Sequence, residues 1–153
     1  MPDTVTMIGN RTFNYCTSLL HIDIPDSVIK ISSCAFEGCS SLIIVNLSKN
    51  LEEFEHAVFK NCTALTTINI PKTLTTCGIH AYSDSGIFYG CTNLKNVILE
   101  EGIKTIPGYL FDGSSIETIE IPDSVTSIGD CAFRGCTALN NVTLPESLTS
   151  IDS

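Results

Sequence analysis

The chain holds no tryptophan, only 7% aromatic residues, and 8 lysines and arginines against 17 aspartates and glutamates. Without bulky aromatic anchors, any core has to be filled by branched aliphatics. The formal charge of -9 argues against nucleic acid as a partner, since phosphate backbones are bound by clustered Lys and Arg. It also helps to keep a rather apolar chain in solution. Long apolar runs are missing as well. Leu42–Val45 is the longest clear one, far short of the roughly 20 residues that cross a bilayer. No basic stretch followed by an apolar segment opens the chain, so no signal peptide is visible. The expectation from this alone is an intracellular protein, or one given without its addressing segment.

What the sequence has in abundance is repetition. CAFEGCSSL at 34–42 returns as CAFRGCTAL at 131–139. Extending that pair outward gives a 23-residue unit, P-x-S-V-T-x-I-G-x-x-A-F-x-G-C-T-x-L-x-x-I-x-L. One domain is expected over 1–153, with copies at 2–24, 25–47, 48–70, 71–99, 100–121 and 122–144 and a partial copy at 145–153. The fourth copy carries six extra residues near Tyr82–Ile87. The fifth is one residue short, reading Ser114-Ser115-Ile116 where others read Cys-Thr-x-Leu. These lengths account in full for the 97-residue offset between the quoted pair.

Each column of the repeat has a physical reading. The last two apolar columns, such as Ile68 and Ile70 or Val97 and Leu99, lie two apart and are rich in β-branched residues. That is a strand with one buried face. Five of the six prolines (Pro2, Pro25, Pro71, Pro122, Pro145) open a copy, and a residue without N–H ends each strand there. Gly38, Gly90, Gly113 and Gly135 precede the cysteine column or its serine and mark a tight turn. Phe, Cys and Leu columns three apart point to a short 3₁₀-like turn. No copy can enclose its own apolar face, so copies must stack as coils about 4.8 Å apart. The fold class expected is a mainly β solenoid with a continuous parallel sheet along one side. Short second strands at V-x-x-I and short 3₁₀ turns complete each coil.

Several residue groups could carry chemistry. Cys16, Cys39, Cys62, Cys91 and Cys136 share one column. They read as stacked buried groups whose S–H donates weakly to turn carbonyls. A four-cysteine zinc site from Cys34, Cys39, Cys131 and Cys136 would have to span four coils, roughly 19 Å, against Zn–S bonds near 2.3 Å. No metal is expected. Disulfides between adjacent coils fit the allowed Cα spacing, but stacked side chains point alike, so eight free thiols are expected. His80, Ser83, Asp84 and Ser85 cluster at the fourth-copy insertion in the residue types of a hydrolytic triad. These types are also common turn formers, so no catalytic residue is assigned. His21 and His56 find no plausible partner. Glu52-Glu53-Glu55 and Glu100-Glu101 lack calcium-loop spacing and read as solvated faces. Asn-x-Ser/Thr sequons at Asn10, Asn46, Asn61 and Asn141 read as by-products of the repeat. No cofactor is implied.

The outward strand positions form two rows. One runs His21, Ile44, Thr67, Asn96, Thr118 and Asn141; the next runs Asp23, Asn46, Asn69, Ile98, Glu120 and Thr143. Such rows can vary without disturbing a core. The candidate partner-binding residues are Ile44, Asn46, Thr67, Asn69, Asn96, Ile98, Thr118 and Glu120. The insertion residues Tyr82, Ser83 and Asp84 are a secondary contact.

LTTINI at 65–70, LKNVIL at 94–99 and LNNVTL at 139–144 resemble the L-x-x-L-x-L core of leucine-rich repeats. PDSVTSIGDCAFRGCTAL at 122–139 is similar to the BspA-like leucine-rich-repeat family, and the resemblance runs along essentially the whole chain. It implies a leucine-rich-repeat right-handed superhelix. It also implies a surface-exposed or secreted protein that takes part in adhesion and binds a protein or glycan. The expected function is therefore a non-enzymatic recognition scaffold, part of an adhesin-like protein, with no membrane insertion. An intracellular protein–protein scaffold is the alternative, and a hydrolase at the insertion is a further one. The chain reads as a section of a longer array, without evident capping units.

Overall fold

The computed structural model describes residues 1–78 and 86–152. The hydrolase-like cluster His80, Ser83, Asp84 and Ser85, and the secondary contact Tyr82–Asp84, lie outside them. Two sets of strands alternate along the chain. The short set is β1 (Met7–Ile8), β3 (Lys30–Ile31), β5 (Glu53–Phe54), β7 (Thr76–Cys77), β9 (Thr105–Ile106), β11 (Ser127–Ile128) and β13 (Ser150–Ile151). The long set is β2 (His21–Asp23), β4 (Ile44–Asn46), β6 (Thr67–Ile70), β8 (Asn96–Leu99), β10 (Thr118–Glu120) and β12 (Asn141–Thr143). Each coil of the solenoid contributes one strand of each set, and all pairing is parallel. Met7 pairs with Lys30, 23 positions on; Thr67 pairs with Asn96 across the longer coil four. No helix occurs among the described residues.

Turns between these strands follow from the repeat chemistry. The carbonyls of Pro2, Pro25, Pro71, Pro122 and Pro145 each accept the N–H of the residue three on, at 3.0–3.1 Å. After each short strand the Phe carbonyl accepts from the Cys or Ser N–H three residues later, and the Cys carbonyl from the Leu N–H. The expected 3₁₀ turns thus appear as single i→i+3 turns rather than 3₁₀ helices. Left-handed residues interrupt any longer run: Arg11, Cys34, Ala57, Tyr109 and Cys131 in one column, Tyr15, Gly38, Asn61, Gly90, Gly113 and Gly135 in another. At Gly38 (φ 73) a Cβ would also lie 2.5 Å from the Tyr15 ring of the preceding coil, so glycine is required twice over.

The core is a set of stacked columns. Phe13, Phe36, Phe59, Phe88, Phe111 and Phe133 stack face to face at 5.2–6.1 Å between centroids, with planes within 19°. Each such contact contributes about 0.5–1.5 kcal/mol beyond area burial. Phe54 meets Phe59 and Phe88 edge-on. The four central rings of the stack are fully buried, whereas Phe13 and Phe133 are half-buried. Beside them, Cys39, Cys62, Cys91 and Cys136 donate S–H bonds of 3.0–3.2 Å to Phe13, Phe36, Phe59 and Phe111 carbonyls of the preceding coil. Burial pushes the Cys39 thiol up to about 11 and the Cys77 thiol upward as well. Cys16 is the exposed member of the column.

One expectation needs refining. The long strands stack along one side, but their ladder is not continuous: it consists of the pairs β2–β4, β6–β8 and β10–β12. The short-strand ladder likewise divides into β1-β3-β5-β7 and β9-β11-β13. Among the described residues neither ladder is made between coils four and five. Pro107 accounts for one missing bond of the short-strand ladder. In other coils the residue following the short strand donates its N–H to the preceding coil at 2.7–2.9 Å, as Ser32, Glu55, Gly78 and Gly129 do. Pro107 occupies that position in coil five and has no N–H to give. The one-residue deletion lies just before β10 and accompanies the long-strand break.

Candidate binding face

The long strands present alternate residues to opposite sides, as the burial pattern of β6 and β8 shows, exposed and buried in turn. Ile22, Val45, Ile68, Val97 and Ile119 turn toward the core. Ile44, Asn46, Thr67, Asn69, Asn96, Ile98, Thr118 and Glu120 all lie outward and exposed. Register brings them together in rows: His21 opposite Ile44, Thr67 opposite Asn96, Asn69 opposite Ile98. Ile44 and Ile98 are about half exposed, at 51% and 54%, so the face mixes amide, hydroxyl and carboxylate groups with isolated apolar side chains.

Two clefts open where the long-strand ladder is interrupted. A cleft of about 380 Å³ lies over the β4/β6 boundary, lined by Asn46, Lys49, Asn69, Pro71, Ile98 and Glu100 among others. A second, of about 790 Å³, lies over the β8/β10 boundary. Its wall includes Thr67, Asn96, Ile98, Glu101, Glu120 and Asp123. Both volumes fall within the range of ligand sites. Glu100, Glu101, Lys49 and Asp123 were not marked by the row pattern. They lie just beyond the strand ends, and of the four only Glu100 and Glu101 are read from the sequence, as a solvated face.

Both described histidines have partners, contrary to expectation. His21 Nε2 lies 2.8 Å from Asp23 Oδ1, and Asn46 Nδ2 donates to the same oxygen at 2.7 Å. The hydrogen bond from Asn46, followed by that from His21, lowers the Asp23 carboxyl. Sequence reasoning overlooked this because two strand residues two apart share a face, and Asn46 arrives only through the coil register. His56 Nδ1 is 3.0 Å from Ser33 Oγ, which donates at 2.7 Å to Glu55 Oε2. Lys30 Nζ bridges Glu53 at 3.0 Å and Glu55 at 2.8 Å. Lys30, then Ser33, holds the Glu55 carboxyl down at about 2. Glu55 also accepts the Ser33 backbone N–H, so this knot clasps coil two to coil three. The Ser33 proton is committed to a carboxylate rather than to a base. Among the described residues no group of three or more His, Cys, Asp or Glu is arranged to hold a metal ion.

On the opposite side, Arg134 grips the buried Asp112 through Nε at 2.9 Å and Nη2 at 2.6 Å. Its guanidinium also lies 5.4 Å from the Tyr109 ring centre. This is a coil-to-coil tie.

A parallel β-solenoid built from coils of this length, with a leucine strand on one side and turns on the other, defines a leucine-rich-repeat protein. The chain matches the BspA type leucine rich repeat region in six copies, over residues 1–87 and 84–153, and it belongs to that family. It is similar to a leucine-rich repeat protein of T. pallidum, with 30% identity and a TM-score of 0.75 over 97% of this chain and 67% of that one. A leucine rich cell surface protein of Faecalibacterium prausnitzii shares 34% identity, with a TM-score of 0.71 over 97% of this chain and 37% of that one. The pneumococcal vaccine antigen PcpA shares the fold, with a TM-score of 0.65 at 24% identity over 96% of this chain and 35% of that one. The chain therefore spans two thirds of the first and little more than a third of the other two. No curated protein matches the chain. Leucine-rich-repeat proteins of this kind are in general repeat scaffolds rather than enzymes. No helix among the described residues is long and apolar enough to cross a membrane.

Proposed function

We propose that the chain is a non-enzymatic recognition module of a cell-surface or secreted adhesin-like protein, and that its long-strand face binds a protein or glycan partner. The observation that carries this reading is the separation of face from core. Rows of exposed side chains stand on strands whose alternate residues fill stacked apolar columns, so the rows are rigid in position and free in identity. The clefts at the ladder interruptions add relief to that face. A surface location is supported by the similarity to the cell surface protein of F. prausnitzii.

The test is adsorption of the purified chain to a panel of immobilised matrix proteins and surface glycans. Asn69→Lys with Asn96→Glu should abolish the strongest signal while circular dichroism stays unchanged. Thr92→Lys with Thr137→Glu, exposed on the turn side, should do little. Arg134 is unsuitable as a control there, because a glutamate would face buried Asp112. Loss of binding in the turn pair alone would move the site to the other side.

A further inference from the structure

The wider cleft differs from the rest of the strand face in its charge. It is lined from coils three to six: Thr67, Asn96, Ile98 and Glu101, Glu120, and Asp123. No lysine or arginine contributes to its wall. Two lysines on or beside the strand face are paired with carboxylates outside the cleft, Lys95 with Glu117 at 2.9 Å and Lys49 with Asp26 at 3.9 Å. Glu101, Glu120 and Asp123 are exposed carboxylates converging on one cleft in a chain of net charge -9. Ile98, 54% exposed, supplies an apolar contact in their midst. Thr67, Asn96 and Thr118 supply groups that bond a peptide backbone. Three coil steps of about 4.8 Å span roughly 14 Å, the reach of about four extended residues at about 3.3 Å each.

We propose that this cleft seats an extended, lysine- or arginine-bearing segment of a protein partner. The inference rests on the long-strand face being the binding face, and adds the chemistry of what binds there. Charge complementarity selects the segment and speeds its arrival. Ile98 and the amide and hydroxyl rows hold its backbone and intervening side chains.

The probe is a fluorescein-labelled peptide alternating lysine with threonine, about nine residues long to overrun the cleft, with a glutamate-for-lysine counterpart. Anisotropy should show binding of the lysine peptide only, weakening steeply between about 20 mM and about 300 mM salt. Replacing the three carboxylates together (Glu101→Gln, Glu120→Gln, Asp123→Asn) should weaken it by roughly tenfold or more. Asp3→Asn, Glu52→Gln and Glu146→Gln together, the same charge change at exposed sites outside the cleft, should leave it within about twofold. Equal weakening by both triples would reduce the effect to the general field and overturn the proposal. Absence of any lysine-peptide binding would overturn it too. If the cleft triple changes nothing while Asn69→Lys with Asn96→Glu still abolishes capture on the panel, the cationic partner is wrong and the binding face stands.

Discussion

Two neighbouring seams of the solenoid share coil four and are held together differently. Between coils three and four both ladders are made, β5–β7 and β6–β8. The Phe59–Phe88 rings lie 5.6 Å apart, the Asn61 N–H reaches the Tyr89 carbonyl at 2.8 Å, and Cys91 bonds the Phe59 carbonyl. Between coils four and five neither ladder is made among the described residues, the rings separate to 6.1 Å, and the corresponding Gly90–Gly113 bond stretches to 3.5 Å. The thiol rung is missing there too, since Ser114 sits 3.5 Å from Cys136 Sγ instead. Lys95, bonded to the Ser115 carbonyl and paired with Glu117, crosses the seam by side chain. Yet Ile103, Ile106, Leu110, Phe111 and Ile116 stay fully buried. The comparison separates two kinds of cohesion: apolar columns survive where the backbone ladder fails. Coil four, six residues longer than the others, keeps its long strand paired backward, whereas a deletion beside a strand and a proline on the ladder coincide with lost pairing forward.

The largest test of this difference is a cavity on each side of it. Phe36→Ala and Phe88→Ala should each cost about 3–5 kcal/mol. In urea, Phe36→Ala should lower a single transition, while Phe88→Ala should divide unfolding into two, because the fourth–fifth seam has least else to couple it. A single transition in both would mean that the seams are equally strong. Phe133→Ala should cost less than either, its ring being half-buried.

Acid should narrow the difference from the other direction. The clasp of Lys30, Ser33 and Glu55 joins coils two and three, with Glu55 held at about 2 against an ordinary 4.5. A lowered carboxyl gives stability that is fully present above its unfolded value and lost as pH falls from about 4.5 toward 2. Glu55→Gln should flatten the urea midpoint over that window relative to the native chain. An unchanged slope would show that the clasp is not coupled to folding.

Two substitutions should tighten the open seam by small amounts. Pro107→Ala restores an N–H where other coils donate one. The regained bond, about 0.5–1.5 kcal/mol, is offset by the freer unfolded chain, about 0.4–1 kcal/mol. The readout is therefore slower hydrogen exchange at Ile106 and its neighbours rather than a large midpoint shift. Ser114→Cys should add the missing thiol rung at the Phe88 carbonyl and be neutral or mildly stabilising. The smallest effect is in labelling: Cys16 should alkylate first in native buffer, and Cys39, raised to about 11 by burial, should lag well behind it. Faster exchange after Pro107→Ala would refute its part in the break.

Much of this architecture was legible in the sequence, because a repeat states each packing position several times over. The Phe, Cys and strand columns, the turn prolines and the outward rows all follow from one alignment. Ser114, the shortened fifth copy and the sixth proline were visible too, as departures from a consensus. Their joint effect on one seam was not, since Pro107 acts through the carbonyl of a different coil. The knot at Ser33, Glu55 and His56 was hidden for the same reason: its members are 22 and 23 positions apart and come together only through stacking. Which outward residues meet a partner is set by that partner, so the rows mark a face without marking its contacts.

The hydrogen bonds between coils can also be regarded as springs under load. A protein held at one end and pulled along its stacking axis carries the same force through every seam in turn. Each seam resists with whatever bonds it sets in parallel. Pro107 removes one such spring from a seam already lacking others, so the solenoid has a built-in parting line between its fourth and fifth coils. Extension in a single-molecule pull should accordingly come in two steps, and Pro107→Ala should raise the force of the first.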